Sequence, residues 1–398
     1  MSVRAAARPL PLYAPESSPR NRLADWTQPV REGGPLRVME TPRSVELAIT
    51  GRCNLRCRTC YYADEMTALA DLPTASWLSL ADELGEMAVM SVLLTGGEPL
   101  LHPDLREIVG AVVANRMRFR VNSNGIPATP AVAAFLKDTG RCDQVQVSID
   151  GSCPEVHDRI RGRGSFVGAV AGIRALREAG VPVAVRVTIN RVNLRDLPRL
   201  FPFLFEELGI EHVGTNEAFP RGAAQCNLKD LDMTPAERRE AERTCLEAKV
   251  LYPALSASAG PLVMGRMLRL IDEDLARPPE ERRRSGGSLS GCRVASQSLA
   301  VMHDGKVVPC LQLPHMVLGQ AGVDPLRRIW QESVGLEYLR TRHRIPLGRL
   351  EECRDCRYQP YCTGGCPAIA YAVTGKTTGR DPRSCYRALK GEDPEFAF

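Results

Sequence analysis

Short apolar runs alternate with longer amphipathic stretches through the first half of the chain. Short apolar runs bounded by turn residues predict β-strands, whereas apolar residues three and four positions apart predict helices. The apolar runs predict six strands, at 45–50, 91–95, 118–121, 144–149, 183–189 and 211–215. The amphipathic stretches predict helices at 77–87, 104–114, 130–138, 167–179 and 197–208, the last with Asp196 as its N-cap.

This alternation predicts the fold class. Strands that are separated by helices pair in parallel through right-handed crossovers. Six strand–helix units are fewer than the eight of a closed TIM barrel. We therefore predict an α/β fold in which residues 41–225 form a partial, TIM-like (βα)6 barrel.

The flanking segments differ from the barrel in composition. Residues 1–40 are rich in Pro and Arg and predict an N-terminal arm. Residues 226–288 predict a bridge that is helical over 234–276 and continues as a linker with a basic run at 282–284. Residues 289–398 are rich in Cys, Gly and Pro, which predicts a small domain that depends on cysteine-bound metal for stability.

Composition narrows the class of protein. The chain has 398 residues, of which 44% are hydrophobic and 25% charged, as in soluble globular proteins. A net charge of +5 gives no support for nucleic-acid binding. No apolar run is long enough for a membrane helix, and the N-terminus lacks the apolar core of a signal peptide. A cytoplasmic location without membrane partners is the expectation.

Cysteine is the unusual residue, with fourteen copies unevenly distributed along the chain. In a chain without a secretion signal, cysteine clusters more often indicate metal binding or catalysis than disulfides. Only six histidines are present, so few histidine ligands are available for zinc sites that combine Cys and His. The composition therefore favours thiolate-rich metal sites.

The first cluster places Cys53, Cys57 and Cys60 as C-x3-C-x2-C, directly after the first predicted strand. One short loop with this spacing can wrap three thiolates round a single [4Fe–4S] cluster and leave the fourth iron open for a small molecule. A zinc loop, or cysteines without a shared ligand, is the alternative reading.

This spacing resembles the signature of the radical S-adenosylmethionine (SAM) superfamily. The resemblance implies that SAM chelates the open iron and that one electron cleaves it to a 5′-deoxyadenosyl radical, which abstracts a substrate hydrogen. A flavodoxin- or ferredoxin-type protein is the implied reductant. Thr59 departs from the pattern, because the residue before the third cysteine is usually aromatic.

The ends of the later strands are similar to SAM-contacting motifs of the same superfamily. The turn Thr95-Gly-Gly-Glu-Pro99 matches its GGEP motif, which implies a contact with the SAM amino group. The other implied contacts are with the ribose, the methionine part and the carboxylate of SAM. Carried over by position, the candidate SAM-binding residues are Gly96, Gly97, Glu98, Ser123, Asn124, Ser148, Asp150, Arg161, Arg186 and Asn190.

A second array holds seven cysteines between 292 and 385, with C-x2-C spacing that also suits a zinc ribbon. The array resembles the SPASM domain of radical SAM enzymes, which implies two auxiliary [4Fe–4S] clusters and three clusters in total. By position, one auxiliary cluster has the ligands Cys353, Cys356, Cys362 and Cys385, and the other has Cys292, Cys310 and Cys366. The latter lacks a cysteine shortly before Cys292, so either Cys226 or Cys245 reaches it or one iron stays open.

Enzymes with this domain pair mostly modify ribosomally made peptides, so a precursor peptide is the expected substrate. Leu311, where formylglycine-forming members have an acidic residue, disfavours that reaction. Residues 43–53 and 60–66 are similar to cassette-encoded maturases, including spliceases that excise tyramine at an Xaa-Tyr-Gly site. The alternatives are a radical dehydrogenase acting on a small molecule such as an aminoglycoside, and a non-catalytic iron–sulfur electron carrier.

Many peptide-modifying relatives bind the leader peptide with an N-terminal winged-helix domain of about 80 residues, a size below which a stable core is hard to bury. Only 52 residues precede Cys53 here, and the first strand uses several of them. We therefore expect a separate small protein to recognise the leader peptide.

Overall fold

The computed structural model describes residues 38–67, 70–257, 259–282 and 286–393. Apart from 38–40, the predicted arm at 1–40 lies outside the described residues. The same is true of 283 and 284 in the basic run of the predicted linker.

Ten strands join in a single sheet within the described residues. The strands are β1 (Ser44–Thr50), β2 (Ser91–Gly96), β3 (Arg118–Ser123), β4 (Cys142–Ser148), β5 (Val183–Ile189), β6 (His212–Glu217), β7 (Leu255–Ala257), β8 (Ser298–Val301), β9 (Lys306–Val308) and β10 (Gly319–Gln320). Their order across the sheet is β10-β9-β8-β1-β2-β3-β4-β5-β6-β7, with β8 and β1 to β7 parallel and β9 and β10 antiparallel.

Helices connect these strands. The first eight are α1 (Thr74–Glu86), α2 (Leu105–Ala114), α3 (Pro130–Asp138), α4 (Pro154–Arg161), α5 (Ser165–Glu178), α6 (Leu197–Pro202), α7 (Ala223–Cys226) and α8 (Leu228–Leu231). The remaining ones are α9 (Pro235–Leu251), α10 (Pro261–Leu275), α11 (Arg293–Gln297), α12 (Leu326–Glu332), α13 (Val334–Thr341), α14 (Pro367–Thr374) and α15 (Tyr386–Lys390). None of the helices in the described ranges combines the length and apolar character needed to cross a membrane.

The main core lies between the outer face of the sheet and the helices. On β3, Phe119 and Val121 are fully buried, whereas Arg118 and Arg120 are exposed. Side chains alternate between the two faces of a strand, so this pattern separates an apolar outer face from a polar inner one. The buried Trp77 of α1 belongs to the same apolar cluster as the outer face.

The α/β fold with a six-stranded parallel barrel core is confirmed, and two extra parallel strands extend it. β7 joins β6, and β8 from the cysteine-rich region joins β1 with Ser44 opposite Ser298. The predicted barrel would have left both of these edges with unpaired backbone groups, which the extra strands now satisfy. The C-terminal region is therefore continuous with the barrel sheet.

Two helix predictions need correction. The predicted helix at 197–208 is α-helical only to Pro202 and continues as a π-helical turn, Phe203–Glu207. Pro202 has no N–H for the helical ladder. Asp196 does not cap this helix with its side chain, because its carboxylate accepts hydrogen bonds from the Ser152 N–H and hydroxyl, both at 2.6 Å.

The predicted helical segment at 234–276 is two helices, α9 and α10, separated by β7. A capping box starts α9, in which the Glu237 N–H donates to Thr234 Oγ1 at 3.2 Å and the Thr234 N–H donates to the Glu237 carboxylate at 2.7 Å. Pro253 follows the end of α9 and cannot continue a helix.

Candidate active site and cysteine centres

The carboxyl ends of the barrel strands open into one cavity of about 500 Å³. Its wall includes the three cysteines that follow β1, namely Cys53, Cys57 and Cys60. It also includes most of the predicted SAM contacts: Gly96, Gly97, Glu98, Ser123, Asn124, Ser148, Arg161 and Arg186. Parallel strands present their carboxyl ends at one edge of a sheet, which is why motifs far apart in sequence meet here.

Two predicted SAM contacts, Asp150 and Asn190, are not part of this wall. The fully buried Asp150 carboxylate accepts from the Thr188 N–H at 2.7 Å and forms an ion pair with Arg161. The Asn190 side chain donates to the Thr188 carbonyl at 2.8 Å and accepts from the Val192 N–H at 3.0 Å. Both side chains hold strand-end turns, and their contact with SAM stays a prediction.

The first cysteine loop places three half-buried thiols next to one another. Burial, together with the charges of Cys57 and Cys53, raises the pKa of Cys60 to about 12. Burial also raises the pKa of Cys57, although the nearby Arg161 guanidinium opposes this with its charge and a hydrogen bond to the sulfur. The thiols therefore keep their protons until a bound cation stabilises the thiolates.

The spacing of the acidic and sulfur-bearing side chains argues against a mononuclear metal site. In the part of the chain that the structure describes, no group of three or more His, Cys, Asp or Glu side chains could hold a single metal ion. A zinc site needs its ligands packed tightly, with sulfurs about 2.3 Å from the metal. An iron–sulfur cluster takes up more space between its cysteines than a single ion does, and donor sets made only of cysteine suit it.

The Gly-Gly-Glu turn after β2 lies against the cysteine loop. The Gly97 N–H donates to the Thr50 carbonyl at 2.8 Å, and the Glu98 N–H donates to the Arg52 carbonyl at 2.7 Å. A Cβ atom on Gly96 would lie 2.4 Å from the Thr50 oxygen, and one on Gly97 would lie 2.2 Å from the Arg52 oxygen. Only glycine permits this close approach, which fixes the loop over the barrel.

Glu98 joins the ends of two neighbouring strands. Its buried carboxylate accepts hydrogen bonds from the Ser123 hydroxyl at 2.8 Å and from the Asn124 N–H at 2.7 Å. Burial outweighs these bonds and raises the pKa of Glu98 to about 7. The Asn124 amide also donates to Asn54 Oδ1 at 2.7 Å, which ties the end of β3 to the cysteine loop.

The inner wall also contains polar residues that the sequence reasoning missed. Glu46, Arg120, Gln146 and Gln312 all line the cavity, the last of these from the loop after Cys310. Arg186 donates from Nε and Nη2 to Gln146 Oε1, at 3.1 and 3.0 Å. The available signal was a polar residue within an otherwise apolar strand, as with Glu46 in Val45–Thr50. Burial raises the pKa of Glu46 to about 7 against the opposing charge of Arg120.

The later cysteines form two separate groups. One group surrounds a small cavity of about 30 Å³ whose lining includes Cys353, Cys356, Cys362 and Cys385. These are the four ligands that the resemblance assigned to one auxiliary cluster. Burial raises the pKa of Cys353 to about 12, and the charges of Cys362 and Cys385 add to this effect.

The other group consists of Cys292, Cys310 and Cys366. Burial raises the pKa of Cys310, and the charges of Cys292 and Cys366 act in the same direction. The remaining candidates for a fourth thiol lie elsewhere. Cys226 is exposed at the end of α7, and Cys245 is fully buried on α9 within the main core.

Two protein-family models match the chain. The radical SAM superfamily model matches residues 47–204, and the SPASM model, described as an iron–sulfur cluster-binding domain, matches residues 292–357. The first match lies within the barrel, and the second covers the part of the cysteine-rich region that contains β8 and ends before Cys362.

Characterised relatives align over most of the chain. The mycofactocin maturase MftC of Mycobacterium tuberculosis is 36% identical over 362 residues, which cover 87% of this chain and 83% of that protein. The AdoMet-dependent heme synthase of Methanosarcina barkeri is 28% identical, covering 89% of this chain and 99% of that protein. The PqqA peptide cyclase of Ruegeria pomeroyi is 28% identical, and the alignment covers 88% of this chain and 89% of that protein.

Solved structures share the fold. Streptococcus suis SuiB, crystallised with the precursor peptide SuiA, superposes with a TM-score of 0.68 at 14% identity, covering 88% of this chain and 77% of that one. The anSMEcpe structure with bound AdoMet gives a TM-score of 0.64 at 18% identity, and the superposition covers 89% of this chain and 97% of that one.

Proposed function

The chain belongs to the radical SAM superfamily and carries a SPASM iron–sulfur domain, and on that premise we propose that it is a maturase of a ribosomally made precursor peptide. When bound, its cluster and SAM supply a 5′-deoxyadenosyl radical that abstracts a hydrogen atom from the substrate. The observation that carries the proposal is the shared cavity, which Cys53 and Gln312 line from the two matched regions.

The chain's own residues have defined tasks in this proposal. Cys53, Cys57 and Cys60 hold the first [4Fe–4S] cluster, and Arg161 offsets part of the negative charge of their thiolates. Arg186, held in place by Gln146, is positioned to pair with the SAM carboxylate. The two groups of later cysteines hold two auxiliary clusters, which makes three in the chain.

A peptide substrate is supported by two of the proteins that the chain resembles, the PqqA peptide cyclase and SuiB with its precursor peptide. The cavity supports it too, since about 500 Å³ admits a peptide side chain. As the finer assignment we propose backbone splicing with tyramine excision, and otherwise cross-link formation. The proposed partners are a separate leader-recognition protein and a flavodoxin- or ferredoxin-type reductant, in the cytoplasm where thiols stay reduced.

A second candidate is a small-molecule substrate, because the AdoMet-dependent heme synthase covers nearly the whole of both chains. Arg120, exposed on the inner face of β3, could pair with a substrate carboxylate in that case. The same cavity serves both candidates, and turnover of a peptide or of a small molecule distinguishes them.

The experiment is an anaerobic assay of SAM cleavage with dithionite as reductant. Short peptides encoded beside the gene are added one at a time, with and without small proteins encoded nearby, and 5′-deoxyadenosine is quantified. We expect one peptide to raise SAM cleavage and to change mass, and the Cys53→Ala/Cys57→Ala/Cys60→Ala variant to do neither. Turnover of a tetrapyrrole or aminoglycoside, with every peptide inert, would favour the small-molecule enzyme.

A further inference from the structure

We propose that the carboxylate of Glu46 is the fourth protein ligand of the iron–sulfur cluster held by Cys292, Cys310 and Cys366. This inference rests on the proposed function, which places a cluster at these cysteines. It adds a ligand from the first barrel strand to a site formed by the cysteine-rich region.

The three cysteines need a fourth donor for a fully ligated cluster. The segment before Cys292 offers no thiol, and its backbone is committed to other contacts. The Leu289 N–H donates to the Ile345 carbonyl at 2.9 Å, and the Ser290 N–H donates to the Thr363 carbonyl at 2.7 Å. A fourth protein ligand is therefore sought in another part of the fold.

The sheet brings Glu46 to this site. Glu46 of β1 pairs with Ala300 of β8, and Ala300 pairs with Val308 of β9. Paired residues in a sheet point to the same face, so these three side chains lie in one row on the cavity side. Ala300 is small, and Cys310 follows Val308 by two residues, which leaves a short path from the Glu46 carboxylate to the Cys310 sulfur.

A further contact links the cavity wall to the thiols. Gln312 lines the same cavity as Glu46, and its N–H donates to the Cys310 sulfur at 3.3 Å. The wall that contains Glu46 therefore also contains a residue in direct contact with one of the three cysteines.

The surroundings of Glu46 favour a bound cation. Within the described residues no salt bridge or hydrogen bond engages its half-buried carboxylate, and Arg120 acts on it only as a more distant charge. A carboxylate beside three cysteines that ionise on metal binding would be strongly repelled without a positive centre between them. Iron accepts carboxylate oxygen as well as thiolate sulfur, so ligation resolves this repulsion.

The test uses the full-length reconstituted protein and three variants at one position, Glu46→Gln, Glu46→Ala and Glu46→Cys. Gln144→Ala is the matched control, because Gln144 lines the same cavity from β4. Each protein is enriched with 57Fe and studied by Mössbauer spectroscopy. It is then mildly oxidised with ferricyanide, and [3Fe–4S] signals are counted by electron paramagnetic resonance. Cyanide addition to the reduced protein reports an exchangeable iron site.

We expect Glu46→Ala and Glu46→Gln to change the Mössbauer signal of one iron in this cluster and to lose that iron on oxidation, from about four irons to about three. Cyanide should shift the cluster signal in these two variants more than in the wild type. Glu46→Cys should keep all four irons of this cluster on oxidation. The control variant Gln144→Ala should have the same spectra and iron retention as the wild type.

If the Glu46 variants have the same spectra, iron retention and cyanide response as the wild type, Glu46 is not a ligand of this cluster. The proposed function would still stand in that case. A second variant, Cys292→Ala, separates the two ideas. If Cys292→Ala leaves the iron content unchanged, no cluster occupies this site. That result would contradict both the auxiliary cluster of the proposed function and the assignment of Glu46 as its ligand.

Discussion

The Nε atom of Arg161 lies 2.6 Å from Oδ2 of Asp150, and both side chains are buried next to the first cysteine loop. The helix that carries Arg161 also contacts the loop directly, because the Arg58 N–H donates to the Ile160 carbonyl at 2.8 Å. This pair thus connects the end of β4 to the cysteines that are proposed to bind the SAM-cleaving cluster.

Asp150→Asn should therefore destabilise the fold and loosen the first cluster. Removing one partner of a buried ion pair leaves the other charge uncompensated, which typically costs about 3–5 kcal/mol. Denaturant titration measures the loss, and iron content after gel filtration measures the effect on the cluster. Asp143→Asn is the control, because the Arg118–Asp143 pair is partly exposed and should contribute about 1 kcal/mol or less. Equal losses in the two variants would contradict the account.

Gly97→Ala should displace the cysteine loop. The added Cβ would lie 2.2 Å from the Arg52 carbonyl oxygen, a backbone atom that cannot rotate away. We expect a lower melting temperature and the loss of about four irons per chain. Gly110→Ala is the matched control on the exposed side of α2, where nothing lies within 4 Å of the added atom. It should stabilise the protein by up to about 1 kcal/mol, as in other exposed helices. A fully loaded Gly97→Ala protein would show that the close contact is unimportant.

Stability should fall at acidic pH through His157. Burial, helped by the charge of Arg161, lowers the pKa of His157 to about 4, and its Nδ1 accepts a hydrogen bond from the Asp150 N–H at 3.2 Å. The unfolded chain binds this proton near pH 6.5, so the stabilisation is present above that pH and is lost as the pH falls towards 4.

The expected slope is up to about 1.4 kcal/mol per pH unit within that window. Denaturant titrations of the wild type and of His157→Gln at several pH values measure it. His157→Gln should have a flatter profile, whereas His212→Gln, at an exposed histidine on β6, should keep the wild-type profile. Identical profiles for the wild type and His157→Gln would contradict the prediction.

Iron content tests the number of clusters. With all three sites filled, the reconstituted protein should carry about twelve irons per chain, and the Cys53→Ala/Cys57→Ala/Cys60→Ala variant about eight. Cys353→Ala should affect only the cluster in the small cavity lined by Cys353, Cys356, Cys362 and Cys385. Zinc in the C-terminal region together with about four irons per chain would refute the two auxiliary clusters.

Local sequence signals predicted the barrel strands and the positions of the cysteine groups. The spacing of Cys53, Cys57 and Cys60 and the Gly-Gly-Glu turn are properties of single loops, so they can be recognised without the fold. The roles of Glu46 and Gln312 depend on strand register between regions about 250 residues apart, which no local pattern encodes. The contacts of Asp150 and Asn190 with the Thr188 backbone likewise depend on the fold, so no local pattern encodes them.

Deuterium transfer from a labelled peptide to 5′-deoxyadenosine tests the central claim most directly. The reconstituted protein is incubated with SAM, dithionite and the precursor peptide deuterated at its side chains and α-carbons. The nucleoside and the peptide are then analysed by mass spectrometry. We predict that one deuterium appears in 5′-deoxyadenosine for each peptide modified. The account would be contradicted if 5′-deoxyadenosine stayed unlabelled and the peptide stayed unchanged with every candidate precursor and partner protein.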